Sequence, residues 1–207
     1  QFVDINDSTD AADATDQLSE DQLSEEEVME TAQEIIEREL EAQKDELVEA
    51  LQGEIDQGMV TIEREATKII IRINEKGSFG SGSASLAPGF ADVADRISAV
   101  LASSSGDIVV AGHTDNVPIS TGRFRSNWEL SAARAVTVLH ELLRNPALDA
   151  ERIQVQGYAD TKPLASNDTP QERAQNRRVE LILIRGEQDE ELDPAALEDL
   201  APFLDIR

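Results

Sequence analysis

Between residues 32 and 55 the apolar residues return every three or four positions, at Ala32, Ile36, Leu40, Leu47, Leu51 and Ile55. That spacing lays one apolar stripe along a helix. Ser24 and Glu27 have capping-box spacing at its start, with Glu25 and Glu26 at the positive N-terminal end. Gly58 reads as a stop. A continuous helix over 24–57 would span roughly 50 Å at about 1.5 Å per residue. The stripe is narrow and needs a partner, either the rest of the chain or a second copy of the helix. Its heptad register is imperfect, which argues against a regular coiled coil. Residues 1–23 show no period and few large apolar side chains, so they read as a disordered linker.

From residue 59 the period shortens. MVTIE (59–63) and KIIIRI (68–73) read as two strands of a hairpin. Residues 74–87 form a Gly/Ser-rich loop carrying Phe79; no Gly-Lys-Ser/Thr follows its glycines, so it is not a P-loop. Pro88 opens a helix with Phe90, Val93, Ile97, Val100 and Leu101 on one face. DIVVAG (107–112) is a buried strand. Ser126 and Glu129 have capping-box spacing around Asn127, opening a helix to about Arg144 whose core stripe reads Trp128, Ala132, Ala135, Val136, Leu139, Leu142 and Leu143. RIQVQG (152–157) is a strand alternating Ile153 and Val155. Thr169, Pro170 and Glu172 start a short helix ending near Arg177, and VELILI (179–184) is the last strand. The order predicts an α+β domain: a mixed β-sheet with helices packed on one face and at least one parallel strand pair, preceded by a long acidic helix.

Charge sharpens these boundaries. The 207 residues include 43 acidic and 18 basic side chains, a net charge of −25. Residues 1–58 carry 20 acids and 2 bases, residues 59–185 carry 15 of each, and residues 186–207 carry 8 acids and 1 base. The predicted organisation is an acidic linker (1–23), a long amphipathic helix (24–58), a neutral domain (59–185) and an acidic tail (186–207). Nucleic acid is excluded as a principal partner, because phosphate binding needs clustered basic surface. The absence of cysteine excludes disulfides and thiolate metal sites. No stretch approaches the 18 apolar residues of a membrane span. The chain starts with Gln rather than Met, so the sequence is expected to be a processed or truncated form.

The candidate chemistry lies between residues 112 and 178. The run Gly112-His113-Thr114-Asp115-Asn116-Val117-Pro118-Ile119 is followed by Arg125-Ser126-Asn127-Trp128-Glu129-Leu130-Ser131-Ala132-Ala133-Arg134-Ala135. Gly157-Tyr158-Ala159-Asp160, Pro163, Asn167 and Asn176-Arg177-Arg178-Val179-Glu180 come later. In order and spacing this pattern resembles the OmpA-like peptidoglycan-binding domain. GHTDNVPI, the longer loop before the helix, SNWELS and the upstream EKGSFGSGSASL look like the branch formed by the B subunits of flagellar stators (the MotB/PomB family). The resemblance covers residues 60–185 and not the acidic flanks.

Members of that family bind diaminopimelate in the peptide stem of the cell wall. Its free end is a zwitterion, and a site for it needs a fixed anion and a fixed cation. By resemblance, Asp115 takes the ammonium and Arg134 takes the carboxylate with the bidentate geometry of a guanidinium. Asn127, Thr114 and Arg178 complete the expected site. Residues 116–126 form an added rim or lid. The residues alone leave alternatives open: Asp115 as a turn residue, Arg134 as a surface ion-pair partner, Arg178 as a structural pair, Trp128 as core or as a sugar platform. His113 beside Asp115 invites a metal or hydrolase reading, but His140 lies far along a helix and no nucleophile motif is present. No catalytic residue, metal or cofactor is therefore expected. The resemblance implies a noncatalytic wall anchor of an ion-driven stator. It would be periplasmic, held in the bacterial inner membrane through a missing N-terminal segment, homodimeric, and paired with a stator A subunit of the MotA/PomA type. A general envelope tether to peptidoglycan is the alternative.

Overall fold

In a computed structural model, residues 25–185 are described, with side chains from residue 33 onward. The expected linker, the Ser24–Glu27 capping box and the acidic tail lie outside the described residues. The long helix runs Glu25–Ala50 (α1), breaks at Leu51, and resumes as Gln52–Asp56 (α2). The chain then turns at Gly58, whose φ is 66°. Strands β1 (Val60–Glu65) and β2 (Lys68–Asn74) form the expected antiparallel hairpin. A short helical turn, α3 (Glu75–Ser78), lies within the segment read as loop. Then follow α4 (Phe90–Ser103), β3 (Asp107–His113), α5 (Asn127–Leu142), β4 (Ile153–Gly157), α6 (Pro170–Asn176) and β5 (Arg178–Ile184).

The five strands make one mixed sheet in the order β1-β2-β5-β3-β4. The last strand enters the centre, antiparallel to both β2 and β3, and β4 is parallel to β3 on the edge. Alternation decides the faces. Ile69, Ile71 and Ile73 of β2, Ile108 and Val110 of β3, and Val179, Leu181 and Leu183 of β5 turn to the helices and form the core. Arg72, His113, Arg178 and Glu180 occupy the alternate positions.

The α1 stripe finds its partner in this core. Leu40, Leu47 and Leu51 are completely buried and Ile36 and Ile55 pack against the same cluster. Burying each leucine stabilises docking by about 1.5–3 kcal/mol. Of the two partners left open by the periodicity, the domain is the one observed.

Three local expectations are corrected. The helix expected from Pro88 begins at Phe90, after Gly89 with φ 89°. Ser126 precedes α5 but its side chain makes no capping bond. The Glu129 carboxylate instead accepts the backbone N–H and guanidinium of Arg125. The buried line of α5 is Leu130, Ser131, Arg134, Ala135, Val138 and Leu142; it shares Ala135 and Leu142 with the stripe read from hydrophobicity but takes in Ser131 and Arg134 in place of Trp128 and Val136. Trp128 is 54% exposed and Val136 38%. The physical reason is close packing: a Cβ on Gly112 would lie 2.0 Å from the Ser131 carbonyl oxygen, and one on Gly157 would lie 2.9 Å from Ala132. Two glycines admit the helix to the sheet, and polar Ser131 and Arg134 take the inward positions. By contrast the third helix start holds as read: Thr169 and Glu172 form a reciprocal capping box with Pro170 at the first turn.

Candidate functional site

The site is a cleft of about 430 Å³ where the end of β3, the start of α5, the α3 turn and α6 converge. Asp115 lies two residues beyond the end of β3 and is 7% exposed. Its Oδ1 accepts the Val117 backbone N–H at 3.1 Å, so the expected turn role is real and coexists with a place in the cleft. Thr114 donates its hydroxyl to the Asp115 carbonyl at 2.9 Å, and its own N–H reaches the Ala159 carbonyl at 2.8 Å. Asn127, at the head of α5, donates to the carbonyls of Asp115 and Val117 at 3.2 and 3.0 Å. Helix and loop are thereby fastened at the cleft wall. Val117, Pro118 and Ile119 form a rim, and Phe124 anchors that loop against Ala84 and Leu130.

The later motif asparagines brace the segment between β4 and α6 behind the cleft. Asn167 Oδ1 accepts from the Asn116 backbone and from Asn176 Nδ2, while Asn176 Oδ1 accepts from the N–H groups of Leu164 and Ala165. Asn176 is fully buried, and its satisfied amide carries a stabilising role.

Arg134 lies in the floor and is 1% exposed. Its Nε donates to the Ser83 carbonyl at 2.8 Å, its Nη2 to Glu75, and its guanidinium carbon stands 5.1 Å from the centre of the Phe79 ring. The surface-pair alternative for Arg134 is therefore excluded by burial. Arg134 does not pair with Asp115. That partner is Arg177, whose Nη1 donates to Asp115 Oδ2 at 2.7 Å and whose Nε donates to Glu75. Burial pulls the Arg177 guanidinium down, and hydrogen bonds to Asp115 and Glu75 outweigh it to raise its pKa. Arg173 also lines the cleft. Its guanidinium donates to the Asn167 and Asp168 carbonyls, so the two carboxylates of Glu75 and Asp115 are paired by Arg134 and Arg177.

Asp115, Arg134, Asn127 and Thr114 come together as expected. Arg178 does not join them. It is the first residue of β5, and its guanidinium turns to Glu180 at 2.7 Å and to the carbonyls of Asn176 and Lys162. The structural pairing is the reading that holds for it. Glu75 and Arg177 were missed. For Arg177 a signal existed: in an alternating strand it shares parity with core-facing Val179, whereas Arg178 shares parity with Glu180. Nothing periodic marked Glu75.

His113 also leaves the cleft. It is 2% exposed, stacks on Tyr158 with ring centres 5.2 Å apart, and holds Nε2 3.6 Å from Glu180, too long for a hydrogen bond. It therefore forms no dyad with Asp115. Among the described residues no group of three His, Cys, Asp or Glu side chains is arranged to hold a metal.

Residues 78–177 match the OmpA family. The cell wall anchor of the type VI secretion system (T6SS) from Pseudomonas aeruginosa is 36% identical in sequence; the match covers 68% of this chain and 97% of that one, with a TM-score of 0.62. The chain belongs to the OmpA family. Within this family it is similar to motility protein B of Bacillus subtilis, 43% identical over 120 residues, which is 57% of this chain and 46% of that protein. It also superposes on a putative MotB-like protein from Desulfovibrio vulgaris with a TM-score of 0.67 at 28% identity, covering 75% of this chain and 99% of that one. The chain spans about half the length of the curated relatives it matches. Among the described residues no helix is long and apolar enough to cross a membrane.

Proposed function

We propose that this chain is a noncatalytic peptidoglycan-binding anchor of an ion-driven flagellar stator. It holds the torque-generating unit to the cell wall from the periplasmic side of the inner membrane. The observation that carries the reading is the cleft in which the buried Asp115 carboxylate stands with a buried guanidinium, Arg134, and a partly exposed one, Arg177, on an OmpA-family domain. A diaminopimelate end presents an ammonium and a carboxylate from one carbon, and such a cleft meets both charges. The similarity to motility protein B supports the stator role. A stator that is not anchored turns without a reaction force, and wall binding supplies that force. On this reading the protein acts as a homodimer with a stator A subunit of the MotA/PomA type, through a membrane segment of the full-length protein.

The test is retention on insoluble peptidoglycan with free diaminopimelate as competitor. Asp115→Asn keeps the turn acceptor for Val117 and removes the charge, so retention should fall at least tenfold at an unchanged melting temperature. Truncating one member of a desolvated charged contact commonly costs about 2–5 kcal/mol. Retention equal to wild type would sink the reading.

A second reading, a general envelope tether, is favoured by the 36% identity to a secretion-system wall anchor. Disruption of the gene separates the two: a stator anchor leaves assembled but motionless flagella, while a tether leaves motility intact and weakens the envelope.

A further inference from the structure

The charged groups of the cleft form one alternating chain: Asp115, Arg177, Glu75, Arg134. Both oxygens of Asp115 have protein partners, the Val117 N–H on Oδ1 and Arg177 Nη1 on Oδ2. Any ammonium that reaches Asp115 therefore competes with a guanidinium. The two arginines differ in freedom. Arg134 is 1% exposed and fixed by Glu75, the Ser83 carbonyl and the Phe79 ring. The Arg177 side chain is 31% exposed and lines the cleft, with Nη1 on Asp115 and Nε on Glu75.

We propose that Arg177 makes the site selective for a zwitterion, a proposal that rests on the wall-binding reading of the same cleft. An arriving carboxylate draws Nη1 away from Asp115 while Nε stays on Glu75, so the side chain pivots about that bond. Asp115 is released to the ligand's ammonium in the same exchange. Each ion pair that breaks is replaced by another. A bare amine offers Arg177 no anion, so taking Asp115 leaves a partly buried guanidinium short of a partner. A bare carboxylate recruits Arg177 but leaves Asp115 without a cation. Discrimination thus comes from the uncompensated charge that a wrong ligand leaves behind. Arg177 is the specificity-determining residue and Glu75 the positioning residue on which it turns.

Calorimetric titration of the full chain with diaminopimelate and with 1,5-diaminopentane, which lacks both carboxylates, tests this. Wild type should prefer diaminopimelate. In Arg177→Gln that preference should fall by about tenfold or more, because diaminopimelate loses a carboxylate partner while diaminopentane gains access to Asp115. Adding Asp115→Asn to that variant should erase the gain. Glu75→Gln, with Arg177 still present, should also lower the preference. Arg177→Lys supplies the same readout should the glutamine variant fail to fold. An unchanged preference in a folded Arg177 variant overturns the proposal and leaves the wall-binding reading standing. Wild type that ignores diaminopimelate overturns the wall-binding reading, and the gain of diaminopentane binding on losing Arg177 still decides whether Arg177 guards Asp115.

Discussion

Glu75→Ala is the perturbation whose consequence the structure sets most sharply. One carboxylate accepts from both Arg134 and Arg177. The two cations fare differently when it is removed. Arg177 keeps Asp115 and reaches water along its exposed part. Arg134 is 1% exposed and keeps the carbonyls of Ser83 and Gly80 and the face of Phe79, but no carboxylate. A buried charge left without its counter-charge typically costs about 3–5 kcal/mol. The retained carbonyls and the neighbouring cleft place this case near the lower figure, about 3 kcal/mol. For a chain of this size that lowers the melting temperature by about 6–12 °C. The assay is thermal and urea unfolding of wild type, Glu75→Ala and the double variant Glu75→Ala/Arg134→Met. Methionine removes the stranded charge and refills part of the volume, so the double variant should recover at least half of the loss. A single variant within about 1 kcal/mol of wild type would refute the reasoning. So would a double variant no more stable than the single, since the loss would then be one of packing rather than of charge.

Burial pushes the Glu180 carboxyl up, but His113 and Arg178 beside it prevail and hold it at about 2 against an ordinary value of 4.5. The folded value is the lower one, so its stabilisation is complete above pH 4.5 and disappears as pH falls through about 2. That shift corresponds to about 3 kcal/mol; the stability gap between wild type and Glu180→Gln should narrow from pH 6 to pH 2.5, and a constant gap counts against it. Leu47→Ala on α1 should cost about 2–5 kcal/mol in urea unfolding, because that side chain is fully buried in the domain core; a value near zero would show α1 to be an appendage. Trimming the chain to residues 25–185 should leave the melting temperature unchanged, as the core cluster lies within them. The trimmed chain should also bind peptidoglycan modestly more tightly at low salt only, because the removed acidic flanks act at a distance that salt screens; weaker binding on trimming would make the flanks part of the site.

The strands were legible because each carries a run of β-branched or alternating apolar residues, and the hairpin and the parallel pair follow from their order; the central place of the last strand was not read from it. The α1 stripe was legible as a stripe, while its partner was not, since a narrow apolar line fits a domain surface and a second helix equally well. Helix α5 shows where hydrophobicity misleads. Its exposed side carries Trp128 and Val136, and its buried side carries Ser131 and Arg134. Periodicity weighs side chains by polarity, so it set the helix part of a turn away from its buried face, keeping Ala135 and Leu142 but missing Ser131 and Arg134. The glycines held the missing information: Gly112 and Gly157 mark where the backbone of α5 lies against the sheet, and the residues opposite them are Ser131 and Ala132.

The same reasoning applies to the site. The residues found from the motif, Thr114, Asp115, Asn127 and Arg134, sit where loop and helix geometry is fixed by backbone hydrogen bonds, so their spacing in sequence carries over into space. The misassigned one, Arg178, and the missed one, Arg177, are adjacent, and only the parity of β5 separates them. Val179, Leu181 and Leu183 face the core, so residue 177 continues toward the cleft side and residue 178 joins Glu180 on the other face. The two arginines should respond in opposite ways to substitution. Replacing Arg178 leaves the buried Glu180 carboxylate with Arg72 as its remaining guanidinium partner, at 3.1 Å, and should lower stability with little change in the preference between diaminopimelate and diaminopentane. Replacing Arg177 should change that preference with little loss of stability, because its side chain is partly exposed and Glu75 keeps Arg134. Measuring both quantities on Arg177→Gln and Arg178→Gln tests the assignment of faces itself. If Arg178→Gln shifts ligand preference and Arg177→Gln only destabilises, the parity argument fails, and with it the placement of Arg177 at the centre of the site.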